Sequence, residues 1–135
     1  MSLARFLSRL RRDQRGASVI EFAFALPVAA ALMIGILQFA IVLQATGAIR
    51  HAVGEGVRYA NIHDDASETE VVAKVREQLA GLDQEGIVSI TLERGNDDGA
   101  QFDRVNIQYQ VEPVVPFMDI DPIVLSDSAL SYVQS

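Results

Sequence analysis

From Phe22 to Leu43 the chain runs for 22 residues on apolar or small side chains, with Gln38 the one polar exception. A helix that crosses a bilayer needs about 20 predominantly apolar residues, so this run is long enough to span. The whole stretch from Arg15 to Leu43 reads RGASVIEFAFALPVAAALMIGILQFAIVL. Two residues set it apart from a plain anchor. Glu21, a lone carboxylate, stands at the entrance of the apolar run, and Gly16 lies five residues before it, directly after a basic segment.

Charge is distributed unevenly around this run. Residues 1–16 hold five arginines (Arg5, Arg9, Arg11, Arg12 and Arg15) against Asp13, a net of +4. From Arg50 onward, six bases face 16 acids, a net of −10. Arginines beside a spanning helix favour the cytoplasmic side, which places the acidic part outside the inner membrane. An acidic domain lacks the basic footprint that nucleic-acid binding requires. The chain has no cysteine, so neither a disulfide staple nor thiolate chemistry is available. With about 40 of its 135 residues in the leader and apolar run, the chain has room for one small domain.

In chain order, residues 1–16 read as a basic leader in which Leu3, Phe6, Leu7 and Leu10 recur at helical spacing. It is either a segment lying on lipid or a targeting leader that is later removed. Residues 17–60 read as one long transmembrane and projecting helix, with Pro27 and Gly35 inside it. Beyond Leu43 the pattern turns amphipathic. Ile49, Val53, Val57 and Ala60 form a stripe suited to packing against a distal domain. Residues 61–135 form that domain. Asn61 to Asp65 is a polar break, and Ser67 with Glu70 makes a capping box for a helix through Val71, Val72, Val75 and Leu79 that stops at Gly81.

The period then changes to two. Ile87, Ser89 and Thr91 alternate with Val88, Ile90 and Leu92 in a strand ending near Glu93. Gly95 to Gly99 is a turn cluster, read as a long hairpin loop, and Val105, Ile107, Tyr109 and Val111 mark a second, half-buried strand. Pro113 and Pro116 break the next stretch. Ile123 to Val133 is a last strand, with Val124 and Leu130 as the inward candidates. The fold class expected is α+β: a long N-terminal helix, a short helix and an antiparallel sheet of about three strands.

Gly16 and Glu21 carry the functional argument. If the chain were cut after Gly16, Ala17 would present a new α-amine, largely protonated at neutral pH because its pKa is about 7.7–8.0. Counted from Ala17, Glu21 is position five and Phe22 position six. An ionisable group at a membrane boundary is costly unless solvated or paired. In a helical assembly, Glu21 of one subunit could pair with the Ala17 amine of the next and set the axial register, a specificity device rather than a net stabiliser. A solvated, idle carboxylate at the headgroup level is the plainer alternative.

Arg15-Gly16-Ala17-Ser18-Val19-Ile20-Glu21-Phe22, followed by Ala25-Leu26-Pro27 and Gly35-Ile36-Leu37-Gln38-Phe39, resembles the TadE-like family, pseudopilin-type proteins of the tight adherence (Tad/Flp, type IVc) pilus machinery. The resemblance continues into Gly56-Val57-Arg58-Tyr59-Ala60, more loosely into the tail from Asp127 to Val133, and is close over residues 14–60. It implies cleavage after Gly16 by a prepilin peptidase on the cytoplasmic side, with Ala17 as the new N-terminus, Glu21 as the position-five acid and Phe22 as its aromatic neighbour. It implies a pilin-like domain outside the inner membrane, a minor-subunit or initiator role in pilus assembly, and other Tad pilus subunits and assembly-platform proteins as partners. Pro27, Ala29, Ala30 and Gly35 are the candidate helix-packing residues in the membrane. The domain is far longer than that of the small Flp major pilins, which argues against that role. The mature chain would begin with alanine, not the phenylalanine of type IVa pilins.

Other readings carry less. An uncleaved single-pass anchor bearing a periplasmic binding or sensor module is the competing class. A secretory signal peptide ending at Ala45-Thr46-Gly47 would need an apolar core of about 7–15 residues, shorter than this one. His51 and Glu55 share a helix face and His63 precedes Asp64-Asp65, but a metal site needs three or four converging ligands. Asn96 to Gly99 with Asp103 lacks the spacing of a calcium cage and reads as hairpin-turn chemistry. Asp119 and Asp121 lie in a loop of their own. Neither a nucleophile triad nor a phosphate-cradling glycine pattern is present, so no enzyme activity, cofactor, metal or small-molecule substrate is expected.

Overall fold

The computed structural model describes residues 14–115 and 118–133. Most of the basic leader and Pro116 lie outside the described residues. Among the described residues there are five elements and one short turn: helix α1 (Gln14–Ile62), helix α2 (Glu68–Gln78), a 3₁₀ turn (Gln84–Gly86), and strands β1 (Ile87–Asp97), β2 (Ala100–Val111) and β3 (Ile123–Tyr132). Two compact units divide after Leu37.

The first unit contains the N-terminal part of α1. Among described residues every side chain from Gly16 to Leu37 is exposed, except the half-buried Ile34. Among the described residues, this is the one helix long and apolar enough to cross a membrane, with a mean hydropathy of 2.4 and none of the apolar window buried within the chain. Pro27 sits inside it without ending it. The proline removes one backbone bond, and the freed carbonyl needs another partner or a local adjustment.

The second unit begins at Gln38 and has a core. The C-terminal part of α1 buries Ala45, Ile49, Ala52, Val53, Val57 and Ala60, a three- and four-residue spacing that aligns on one face. The expected stripe is all there, extended by two alanines. Gly56 lies within it. A Cβ there would collide with Val75, so the glycine is what lets α2 approach α1 closely. Helix α2 starts at the capping box: the Ser67 hydroxyl accepts from the Glu70 backbone N–H, and the Ser67 backbone N–H donates to the Glu70 carboxylate at 2.8 Å. It buries Val71 and Val75, with Leu79 at its C-cap.

The sheet has the order β1-β2-β3, antiparallel throughout, so β2 is central. Its inward row is Asp103, Val105, Ile107, Tyr109 and Val111. Burying each large aliphatic side chain contributes about 1.5–3 kcal/mol.

Three sequence expectations need correction. The hairpin has no long loop: β1 and β2 pair out to Asp97 and Ala100, leaving Asp98-Gly99 as a two-residue turn. Both turn residues have positive φ, 51° and 88°, as a type I′ turn requires. Gly95 is therefore a strand residue, and the Phe102 ring covers the space where its Cβ would stand. The alternation expected in β1 breaks because the register shifts between Ile87 and Ser89. The shift turns Ile87, Ile90 and Leu92 all toward the core and leaves Val88 54% exposed. In β3 the inward residues are Leu125 and Ala129, whereas Val124 is 61% exposed and Leu130 also faces outward. Pairing decides this: Leu125 lies opposite Tyr109 and Ala129 opposite Val105, both inward residues of β2. The inward face of β3 also carries Asp127 and Ser131, and those polar residues disguise its phase in the sequence.

Candidate functional site

The residues singled out from the sequence lie at the start of α1. Gly16, Ala17, Glu21 and Phe22 occupy its first turns, all exposed. Among the described residues, nothing beyond the helix's own turn stands within 4 Å of where a Gly16 Cβ would be. Ala17 and Glu21, four residues apart on a helix, share a face one turn apart. A chain beginning at Ala17 would thus carry a cation and an anion on the same side of an otherwise apolar helix. Pro27, Ala29, Ala30 and Gly35 are also exposed on α1. They do not form one stripe. At about 100° per residue, Ala30, Pro27 and Gly35 lie on one side of the helix and Ala29 points to the other.

The C-terminal unit brings together a different set of polar residues. Arg94 and Asp103 oppose each other across the hairpin, and the Arg94 Nε lies 3.2 Å from Asp103 Oδ1. Asp103 is 4% exposed, the one buried charged residue among those described. On the other face of the ribbon, Arg104 pairs with Glu93 at 3.2 Å and its guanidinium lies over the Phe102 ring. Arg94, Asp103, Asp64, Asn96 and Gln101 line an open cleft of about 410 Å³. The hairpin register produces both ion pairs. It could have been read from the sequence by treating Asp98-Gly99 as the turn, since Asp97–Ala100 pairing places Arg94 opposite Asp103.

Of the remaining candidates, Glu55 and His63 have local partners. Glu55 faces Arg58 at 3.9 Å, and His51 is exposed. His63 stacks on Tyr59 with ring centroids 4.3 Å apart, and its Nδ1 is 3.1 Å from the Tyr59 carbonyl at the end of α1. Asp98 is in the hairpin turn, and Asp119 and Asp121 are exposed in the loop before β3. Two groups are electrostatically displaced. The Ser67 backbone N–H and then its hydroxyl hold the Glu70 carboxyl below its ordinary value. Burial, followed by the Asp83 charge, pushes the Tyr109 phenol up, against a backbone hydrogen bond at Asp83.

Comparison with known proteins bears on the first of these regions. Residues 16–58 match the family model described as TadE-like protein. Over this stretch the chain is similar to TadE-like proteins. The TadE-like segment opens on Gly16, contains Ala17, Glu21, Phe22, Pro27, Ala29, Ala30 and Gly35, and ends just past the Gly56 crossing. It covers about a third of the chain and includes neither α2 nor the sheet. The match supports a component associated with Tad pili. No curated protein and no solved structure matches the chain.

Proposed function

We propose that this protein is a pseudopilin-like minor component of Tad/Flp pilus biogenesis, cut after Gly16 by a prepilin peptidase and assembled through its N-terminal helix. The observation that carries the reading is the placement of the Gly16-Ala17 and Glu21-Phe22 pairs on the opening turns of an exposed apolar helix, inside a TadE-like segment. The helix sits in the bacterial inner membrane with its N-terminus cytoplasmic and the acidic domain periplasmic, in keeping with the arginines of the leader. Its partners are the peptidase, other pilus subunits and the assembly platform.

Cleavage creates a positive charge at Ala17 on the same face as Glu21. Within one chain the helix backbone fixes the two groups at a set distance. Between neighbouring chains the Glu21 carboxylate meets the next amine in a low-dielectric surround, where a pair has a strong preference for one register. The apolar side chains around this pair exclude water from it. The role is structural, and no reaction is assigned to the domain.

Replacing Glu21 tests this. Glu21→Ala is expected to abolish or sharply reduce surface pili while leaving the protein in the membrane fraction at normal abundance. Normal piliation with Glu21→Ala would contradict the proposal and favour an uncleaved anchor carrying a periplasmic module.

A further inference from the structure

The C-terminal unit carries exposed apolar side chains outside its core. Val114 is 72% exposed and Met118 64%, and Ile120 beside them is exposed as well. All three belong to the connection between β2 and β3. The Met118 backbone N–H donates to the Val115 carbonyl at 3.3 Å, which draws the two sides of the connection together.

Where this connection lies along α1 is fixed by a ladder of contacts. Asn61 donates to Ser131 Oγ at 2.6 Å, Arg50 lies 3.6 Å from Asp127, and the Gln38 Nε2 donates to the Val114 carbonyl at 3.2 Å. Descending the helix from Asn61 to Gln38 therefore descends the domain from the end of β3 to the β2–β3 connection. Val114 and Ile41 line the same cleft. Gln38 is the one polar side chain of the Phe22–Leu43 run, and it stands five residues before the run ends. At 1.5 Å per residue that is about 7 Å inside the end of the apolar run. Interfacial apolar segments reach about 5–10 Å into the headgroup and acyl boundary. A loop carbonyl at that depth needs a partner, and here the Gln38 amide donates to it.

We infer that Val114, Met118 and Ile120 form a second membrane contact, inserted into the outer interface of the lipid bilayer beside the point where α1 leaves it. The inference rests on the reading that α1 spans the membrane. The surrounding carboxylates, Glu112, Asp119 and Asp121 with Asp83 and Glu85 on the cleft wall, remain at the level of the headgroups. Insertion is thus driven by apolar burial into zwitterionic lipid and is opposed by anionic lipid. Its consequence is a domain held at a fixed tilt on the membrane.

The chain contains no tryptophan, so a single introduced one reports its own surroundings. The full chain is reconstituted in phosphatidylcholine vesicles that contain lipid brominated on the acyl chain near the headgroup. Met118→Trp is compared with Phe24→Trp in the apolar helix and with Tyr132→Trp at the far end of the sheet, and Val114→Trp is a second reporter of the contact. An interfacial tryptophan buried about 5–10 Å into the headgroup and acyl boundary lies within reach of the bromines and loses emission. The expected result is quenching at 118, 114 and 24 and none at 132. Quenching at 24 with none at 118 and 114 overturns the lipid contact and leaves the spanning helix intact. No quenching at 24 overturns both. Equal quenching at 118 and 132 also overturns the inference, because the whole domain would then lie on lipid.

Discussion

Residues 14–37 and 38–62 are consecutive stretches of one helix, yet they obey different rules. In the first, apolar side chains point in every direction and none is buried by the chain. In the second, one stripe from Ala45 to Ala60 is buried and the opposite face carries His51, Gly54 and Arg58. A helix that is apolar all round has to be covered by something outside the chain, whereas a striped helix is covered by its own domain. The difference teaches how the chain divides its work: the striped stretch holds the domain together, and the uniform stretch, which the chain leaves uncovered, is long and apolar enough to cross a membrane.

The sharpest test of that division sets a core truncation against an equivalent one in the first stretch. Ile107→Ala should destabilise the C-terminal unit by about 2–5 kcal/mol, since a buried aliphatic side chain is removed and a cavity remains. Leu32→Ala, at an exposed helix position, should leave denaturant unfolding of the detergent-solubilised chain unchanged. Equal losses would break the comparison.

A pair of glycines refines it within the second stretch. Gly56→Ala meets Val75 and should cost about 1–3 kcal/mol through overpacking. Gly54→Ala, two residues away with open space around it, should stabilise the helix by about 0.5–1 kcal/mol. Opposite signs in thermal unfolding confirm that α2 crosses at Gly56, and equal signs refute it.

The hairpin ion pair comes next in size. Arg94→Leu leaves the buried Asp103 carboxylate without its partner and should cost about 1–3 kcal/mol. Asp103→Asn combined with Arg94→Leu should recover part of that loss in a double-mutant cycle.

The smallest effects lie at the capping box and in the pH profile. Ser67→Ala should cost about 1 kcal/mol. Because the folded state holds Glu70 below its ordinary pKa, that group's stabilisation is present above the unfolded carboxylate value and is lost as pH falls through the folded one. Glu70→Gln should flatten the acid limb of a stability–pH curve. Tyr109 has the opposite sign: its raised pKa means stability is lost as pH rises past the ordinary phenol value of 10.0. Tyr109→Phe should remove that alkaline loss.

Much of this was legible from local chemistry. The stripe Ile49, Val53, Val57, Ala60 and the Ser67–Glu70 box depend on residues one turn apart, so spacing alone reveals them. The strand phases were harder. In β1 a single register shift moves Val88 out of line with Ile90, and in β3 the inward Asp127 and Ser131 take partners from α1 that are distant in sequence. The Gly56 crossing was hidden for the same reason, because a glycine inside a helix looks like a weakness until Val75 is placed against it. The Gly16–Glu21 motif was legible as a pattern.

In the function proposed above, assembly through the helix depends on processing after Gly16, and that step is open to a direct measurement. The intact mass and N-terminal sequence of the membrane-extracted protein, from cells with and without an active prepilin peptidase, decide it. A chain that begins at Ala17 only when the peptidase is active is the predicted result. A chain that keeps its leader in cells with the active peptidase would contradict it and leave Gly16 and Glu21 without the roles proposed for them.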